Sequence, residues 1–145
     1  MDRVNAHFED LQEGDEITNW PTVDNISRSH FVRYAGASGD FNPMHHDDTV
    51  AQGVGYPSVF GHGMFSAGVL SHYVTDWVGV GNVRKFGVSF RGQLYPGATL
   101  TFTAKVIKKY KEGEENRIDA TLQGVDDKGT VIINGNLTAA LPSRG

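Results

Sequence analysis

The segment Gly39-Asp40-Phe41-Asn42-Pro43-Met44-His45-His46 sets a carboxylate and an imidazole five residues apart, with an Asn-Pro pair between them. A residue before proline disfavours helical backbone, so Asn42-Pro43 bends this stretch into a loop. On such a loop Asp40 and His45 can converge on one small reactant, as general acid–base chemistry requires. An imidazole titrates near neutral pH, and burial raises the proton affinity of a carboxylate. A lone Asp and a lone His would read instead as a turn cap and a polar surface residue.

A second constellation, Gly61-His62-Gly63-Met64, opens an apolar stretch. Free backbone N–H groups at a helix N-terminus stabilise negative charge, and a glycine at Gly63 leaves no side chain to obstruct close approach. His62 by itself reads as a satisfied core histidine. Ser71, two helical turns on, reads equally as a polar contact or a small packing residue. Phe41, Phe60, Phe65, Tyr73, Trp77, Phe86 and Phe90 are core candidates, one or two of which could line an acyl tunnel. His45-His46-Asp47-Asp48 and His62 are ligand types, but adjacent histidines diverge and no second motif supplies spaced ligands, so no metal centre is expected. Arg84, Lys85, Arg91, Lys105, Lys108, Lys109 and Lys111 read as a solvated strand face and edge-protecting charges, or in part as phosphate contacts.

The elements that must position these groups follow from periodicity. Glu16 to Val23 has the bias of a strand, and Ser27 or Ser29 can cap a short helix through His30–Ala37. Asp47 to Phe60 reads as a short helix followed by irregular chain. From Gly63, Met64, Ala67, Leu70, Val74 and Trp77-Val78 recur near helical period, with Phe65, Val69 and Tyr73 as a second row. Apolar residues on more than one face predict a buried helix, ended by Gly79 and Gly81. The period then shifts towards two, predicting strands at Val83–Tyr95, Thr99–Tyr110, Asn116–Val125 and Thr130–Ala140. Pro96-Gly97, Glu112-Gly113 and Asp127-Lys128-Gly129 supply the turns. The expectation is an α+β fold in which an antiparallel sheet wraps a buried helix.

Bulk properties narrow the function classes. A chain of 145 residues is expected to form one domain, residues 1–145. Its net charge of −4 gives no reason to expect nucleic acid. With no cysteine, a cysteine nucleophile and thiolate metal sites are excluded. The mixed, acidic N-terminus lacks an apolar signal region, and the most apolar stretch, Gly63 to Val80, is too broken by polar residues to span a membrane. A cytoplasmic location without membrane association is the expectation.

The string from Tyr34 to His45, with Asp47-Asp48 and Gly61-His62-Gly63-Met64, resembles the signature of the MaoC-like, or type 2, (R)-specific enoyl hydratase and dehydratase family. The likeness runs from roughly Asp10 to Leu141 and is nearest to single-domain mycobacterial-type (3R)-hydroxyacyl-ACP dehydratase subunits. Tyr73–Gly79 also resembles a segment of actinobacterial subunits acting on steroid side-chain enoyl-CoA thioesters. Met44 departs from the family's branched aliphatic residue but preserves volume.

The resemblance implies a hot-dog fold, with a curved antiparallel sheet around a long central helix. It implies a hydro-lyase acting on (2E)-enoyl or (3R)-3-hydroxyacyl thioesters of CoA or acyl carrier protein, without cofactor or metal. It further implies that Asp40 and His45 hold one water between them, that Asn42 positions the pair, and that the Gly63 amide is the oxyanion donor. Asn42, Ser71, Phe41, Phe65 and His62 would be substrate-binding, and the chain would pair as a homodimer or with a related hot-dog subunit. Two other classes were weighed: a hot-dog thioesterase, which would lack the Asp-x-Asn-Pro-x-His string, and a scaffold subunit, which would have lost Asp, His or both.

Overall fold

The computed structural model describes residues 5–145; the first four residues of the acidic N-terminal segment lie outside the described residues. In chain order the elements are β1 (Glu16–Ile17), α1 (Arg28–Ser38), α2 (Asp48–Gly53), α3 (Gly63–Val78), β2 (Val83–Phe90), β3 (Leu100–Glu112), β4 (Glu115–Asp126) and β5 (Val131–Leu141). The five strands form one antiparallel sheet in the order β1-β3-β4-β5-β2. α3 packs against it, nearest to β5 and β2.

Strands β3, β4 and β5 carry the sheet because their alternation is clean. Leu100, Phe102, Ala104 and Val106 of β3 face inward with Ile118, Ala120 and Leu122 of β4 and Ile133, Leu137 and Ala139 of β5. Ala67, Leu70, Val74 and Val78 of α3 fill the concave side. Slips in register at Val83/Lys85 and Val106/Lys108 leave Arg84 and Ile107 as extra residues. Such bulges bend and twist a strand, which lets the sheet curve over the helix. Asp126 closes the β4–β5 turn by accepting from the N–H groups of Lys128 (2.9 Å) and Thr130 (2.8 Å).

Three expectations are corrected. The first strand is two residues long rather than running to Val23, which makes only an isolated bridge to Leu100; Pro21 has no N–H to extend the ladder. Trp20 turns instead onto α3, stacking on Tyr73 and meeting Trp77 edge-on. β2 ends at Phe90, not Tyr95, because the N–H groups of Arg91 and Gly92 both donate to the Ile132 carbonyl, at 2.9 and 3.2 Å, and break the register. α3 buries one stripe rather than its whole surface: Met64, Gly68 and His72 are exposed, and Phe65, Val69 and Tyr73 are half-buried. Among the described residues no helix is long and apolar enough to cross a membrane.

Candidate active site

α1 delivers the acid. Its last turn closes at Gly39, whose left-handed backbone (φ 77°) a side chain would strain; the Gly39 N–H donates to the Ala35 carbonyl at 2.9 Å. The chain then reverses and Asp40 leaves the helix axis. Its carboxylate Oδ1 accepts from the Asn42 N–H at 3.2 Å. Asn42 caps the following 3-10 turn, Pro43–His45, by accepting from the Met44 N–H at 3.1 Å. Proline at the first position of the turn loses no hydrogen bond.

The turn carries His45 over the segment that precedes α3. His45 Nδ1 lies 2.7 Å from the Phe60 carbonyl oxygen. A carbonyl can only accept, so Nδ1 carries the proton and Nε2 of the neutral ring presents a lone pair. That lone pair faces Asp40, with Nε2 and Oδ2 3.9 Å apart. The separation is too long for a direct hydrogen bond and suits one water held between the two. The His45 side chain is 11% exposed and that of Asp40 52%, so the pair has a sheltered side and an open side.

His62, only 2% exposed, lies beneath the pair. Its ring stacks on His45 with centroids 3.8 Å apart and planes 28° from parallel, and its Nε2 donates to the Asp40 carbonyl at 3.0 Å. The Tyr34 ring covers it at 4.8 Å. Burial pushes the His62 imidazole below its ordinary pKa, only partly offset by the Asp40 carbonyl.

His62 is also the residue before α3. The helix begins at Gly63 without a side-chain cap; of its first-turn N–H groups, which no earlier turn satisfies, that of Phe65 donates to the His62 carbonyl at 3.0 Å. A Cβ at Gly63 would sit 2.9 Å from the ring of the half-exposed Phe90, so glycine leaves room for that ring.

A latch behind the loop holds these pieces together. Asp48 Oδ1 accepts from the Val59 N–H and from Arg28 Nη1, each at 3.0 Å, while Oδ2 pairs with Arg28 Nη2 at 3.0 Å. One carboxylate thus joins the starts of α1 and α2 to the strand-like segment bearing Phe60. The Val59 N–H foremost, then Arg28, holds this carboxyl below its usual pKa.

The remaining expected residues are less central. Phe65 meets His30, Phe31 and Tyr34 edge-on, one ring removed from His62. Phe41 is 64% exposed, and its carbonyl accepts from His46 Nε2 at 3.2 Å. Ser71 donates to the Gly68 carbonyl of its own helix at 2.7 Å, and among the described residues no contact joins it to Asp40, His45 or His62. Of the basic residues, Arg84 is committed to Glu115 at 3.0 Å and Lys109 to the Leu11 carbonyl at 2.6 Å. Arg91 and Lys105 line a polar groove of about 550 Å³ on the outer face of the sheet.

Ligating atoms of Asp40, His45 and His62 come within 4.8 Å of one another, a grouping the spacing of the histidines did not suggest. His45 Nδ1 and His62 Nε2 are engaged by carbonyls, which leaves one ring nitrogen of each unprotonated. The cluster offers three ligand groups, one short of a closed structural zinc site. Sequence reasoning missed the Phe60 carbonyl, the Asp48–Arg28 latch and the contact between Gly63 and the Phe90 ring. The first is a backbone group and leaves no mark in the sequence; the others depend on long-range contacts.

The sequence profile of the family described as "MaoC like domain" matches residues 12–128. The chain belongs to the MaoC-like family. It is 31% identical over 146 residues to the (R)-specific enoyl-CoA hydratase of Rhodospirillum rubrum, covering 99% of this chain and 97% of that one. Among solved structures it is similar to the unliganded R-hydratase PhaJ1 from Pseudomonas aeruginosa, with TM-score 0.82, 22% identity and coverage of 97% and 88% of the two chains. It is also similar to a chain of the ChsH1-ChsH2 complex from Mycobacterium tuberculosis, with TM-score 0.74, 22% identity and coverage of 90% and 98%. The fold is the hot-dog fold expected of the MaoC-like family.

Proposed function

We propose that this chain is a hydro-lyase that adds water reversibly across the double bond of (2E)-enoyl thioesters to give (3R)-3-hydroxyacyl thioesters. The observation that carries the reading is the Asp40 Oδ2–His45 Nε2 separation of 3.9 Å beside the uncapped start of α3. The near full-length likeness to an (R)-specific enoyl-CoA hydratase supports it.

Water is too weak a nucleophile at neutral pH to attack an alkene unaided. Held between Asp40 and His45, it loses a proton to the pair as its oxygen bonds to C3. The C2–C3 π electrons move towards the thioester carbonyl, whose oxygen gains negative charge. The Gly63 N–H at the positive end of α3 stabilises that charge. C2 then takes a proton from the pair on the same face, which makes the addition syn and returns both groups to their starting state. Dehydration is the reverse. No proton or electron is left over, so the step needs no redox cofactor.

Both CoA and acyl carrier protein present the same phosphopantetheine thioester, and the chemistry at the pair is the same for either. β2 is an edge strand of the sheet; its open edge suits pairing with a second hot-dog subunit, the same chain or a related one.

The test is crotonyl-CoA with the purified protein, alone and with candidate partner subunits. Loss of enoyl-thioester absorbance with formation of (3R)-3-hydroxybutyryl-CoA is expected. Release of free CoA would replace the hydro-lyase reading with a thioesterase one.

A further inference from the structure

We propose that His62 is a positioning residue for the Asp40–His45 pair: it clamps the backbone of Asp40 and supports the ring face of His45 without contacting substrate. The inference rests on the hydro-lyase reading for its kinetic consequence, but its structural content stands independently.

One side chain touches every part of the site. Nε2–H donates to the Asp40 carbonyl at 3.0 Å, the ring face lies 3.8 Å from that of His45, and the backbone leads directly into Gly63. At 2% exposure it lies behind the pair and away from the open side where substrate must arrive. This departs from a substrate-binding role for His62.

Why the residue is histidine follows from what its second nitrogen does. His62 Nδ1 is buried without a hydrogen-bond partner. A phenylalanine would fill the same space, stack on His45 and leave no polar atom stranded. What only the imidazole supplies is the N–H to Asp40, so that bond explains a buried orphan acceptor.

The clamp also decides where charge resides. With Nε2–H committed and Nδ1 buried without a hydrogen-bond partner, protonation would strand a second N–H in the interior, which burial opposes. The titratable groups facing the ring are Asp40, His45 and His46 from the loop and Tyr34 from α1. Two stacked imidazoles cannot both be charged without repulsion, so a neutral His62 leaves the proton taken from water to His45. Misplacing a catalytic group by about 1 Å can cost about 10²-fold in rate, which sets the scale expected when the clamp is removed.

The experiment pairs ¹⁵N NMR of the imidazoles with kinetics on crotonyl-CoA, in the native chain and in His62→Phe and His62→Gln. Phenylalanine keeps the ring face and loses the donor; glutamine can return an N–H to Asp40 without the ring. In the native chain, His62 should show the Nε2–H tautomer and remain neutral below the titration of an ordinary histidine, with His45 in the Nδ1–H form. Each substitution should shift the His45 titration. With native-like circular dichroism, His62→Phe should lower kcat by about 10²-fold with KM little changed, and His62→Gln should recover part of it.

An unchanged His45 titration in both variants would overturn the proposal, as would a His62 that protonates like a free histidine. A rise in KM at unchanged kcat would return His62 to the substrate-binding group. If the native chain fails to hydrate crotonyl-CoA, the NMR outcomes still decide the clamp, while the hydro-lyase reading falls alone.

Discussion

At the residue scale, the loop works because each short-range bond fixes the next group. The Asn42 side chain accepts from the Met44 N–H while its backbone N–H donates to the Asp40 carboxylate, so one residue ties the turn to the acid. Replacing Asn42 by Ala removes the cap and should cost about 0.5–2 kcal/mol by urea unfolding. Asn42→Asp, which keeps an accepting oxygen, should retain most of that stability. The Asp-x-Asn-Pro-x-His string was legible because its bonds are local and its residue types dictate them. The stacking of His62 on His45 was not, since it forms only when the start of α3 meets a loop some twenty residues earlier.

At the scale of elements, the approach of α3 to its neighbours depends on two glycines that do different work. A Cβ at Gly61 would meet the Phe31 ring at 2.9 Å, and Phe31 is wholly buried. Gly61→Ala should therefore destabilise by about 1–3 kcal/mol in urea titrations, the usual cost of overpacking. The ring that meets Gly63 belongs to Phe90, which is half-exposed and free to swing aside. Gly63→Ala should unfold nearly as the native chain does, yet lose hydration rate at the oxyanion end.

The Asp48 latch makes a pH-dependent prediction. Its folded pKa lies below the unfolded value, so its stabilisation is present above the ordinary carboxylate pKa and disappears as pH falls through the folded value. Asp48→Asn should lower the thermal midpoint at neutral pH, and the gap from the native chain should close on acidification. A gap that widened in acid would contradict the latch. Helix positions were legible from apolar period and glycine stops; the short β1 and early end of β2 were not. Propensity over Glu16–Val23 averages across Pro21, and the shared Ile132 carbonyl that stops β2 comes from another strand.

At the scale of the molecule, one core serves sheet and site. Leu70 lies at the middle of α3, fully buried among residues of the sheet, and its loss would loosen the helix whose first turn is the proposed oxyanion site. Leu70→Ala should cost about 2–5 kcal/mol, read as a lower urea midpoint, with activity falling only where the native fraction falls. The curved sheet over its helix was legible from the change of period after Gly81, because helix and strand bury apolar residues at different spacings. Its subunit partner was not, since an open edge such as β2 accepts any matching strand.

The central claim is that Asp40 and His45 act together on one water. Steady-state hydration of crotonyl-CoA by the native chain, Asp40→Asn, His45→Ala and the double variant tests it most directly. Each single variant should lose about 10²–10⁴-fold in kcat with the fold intact, and the double variant should lose little more than the worse single one, as for residues acting as a unit. A single variant that hydrates crotonyl-CoA at the native rate would contradict the account.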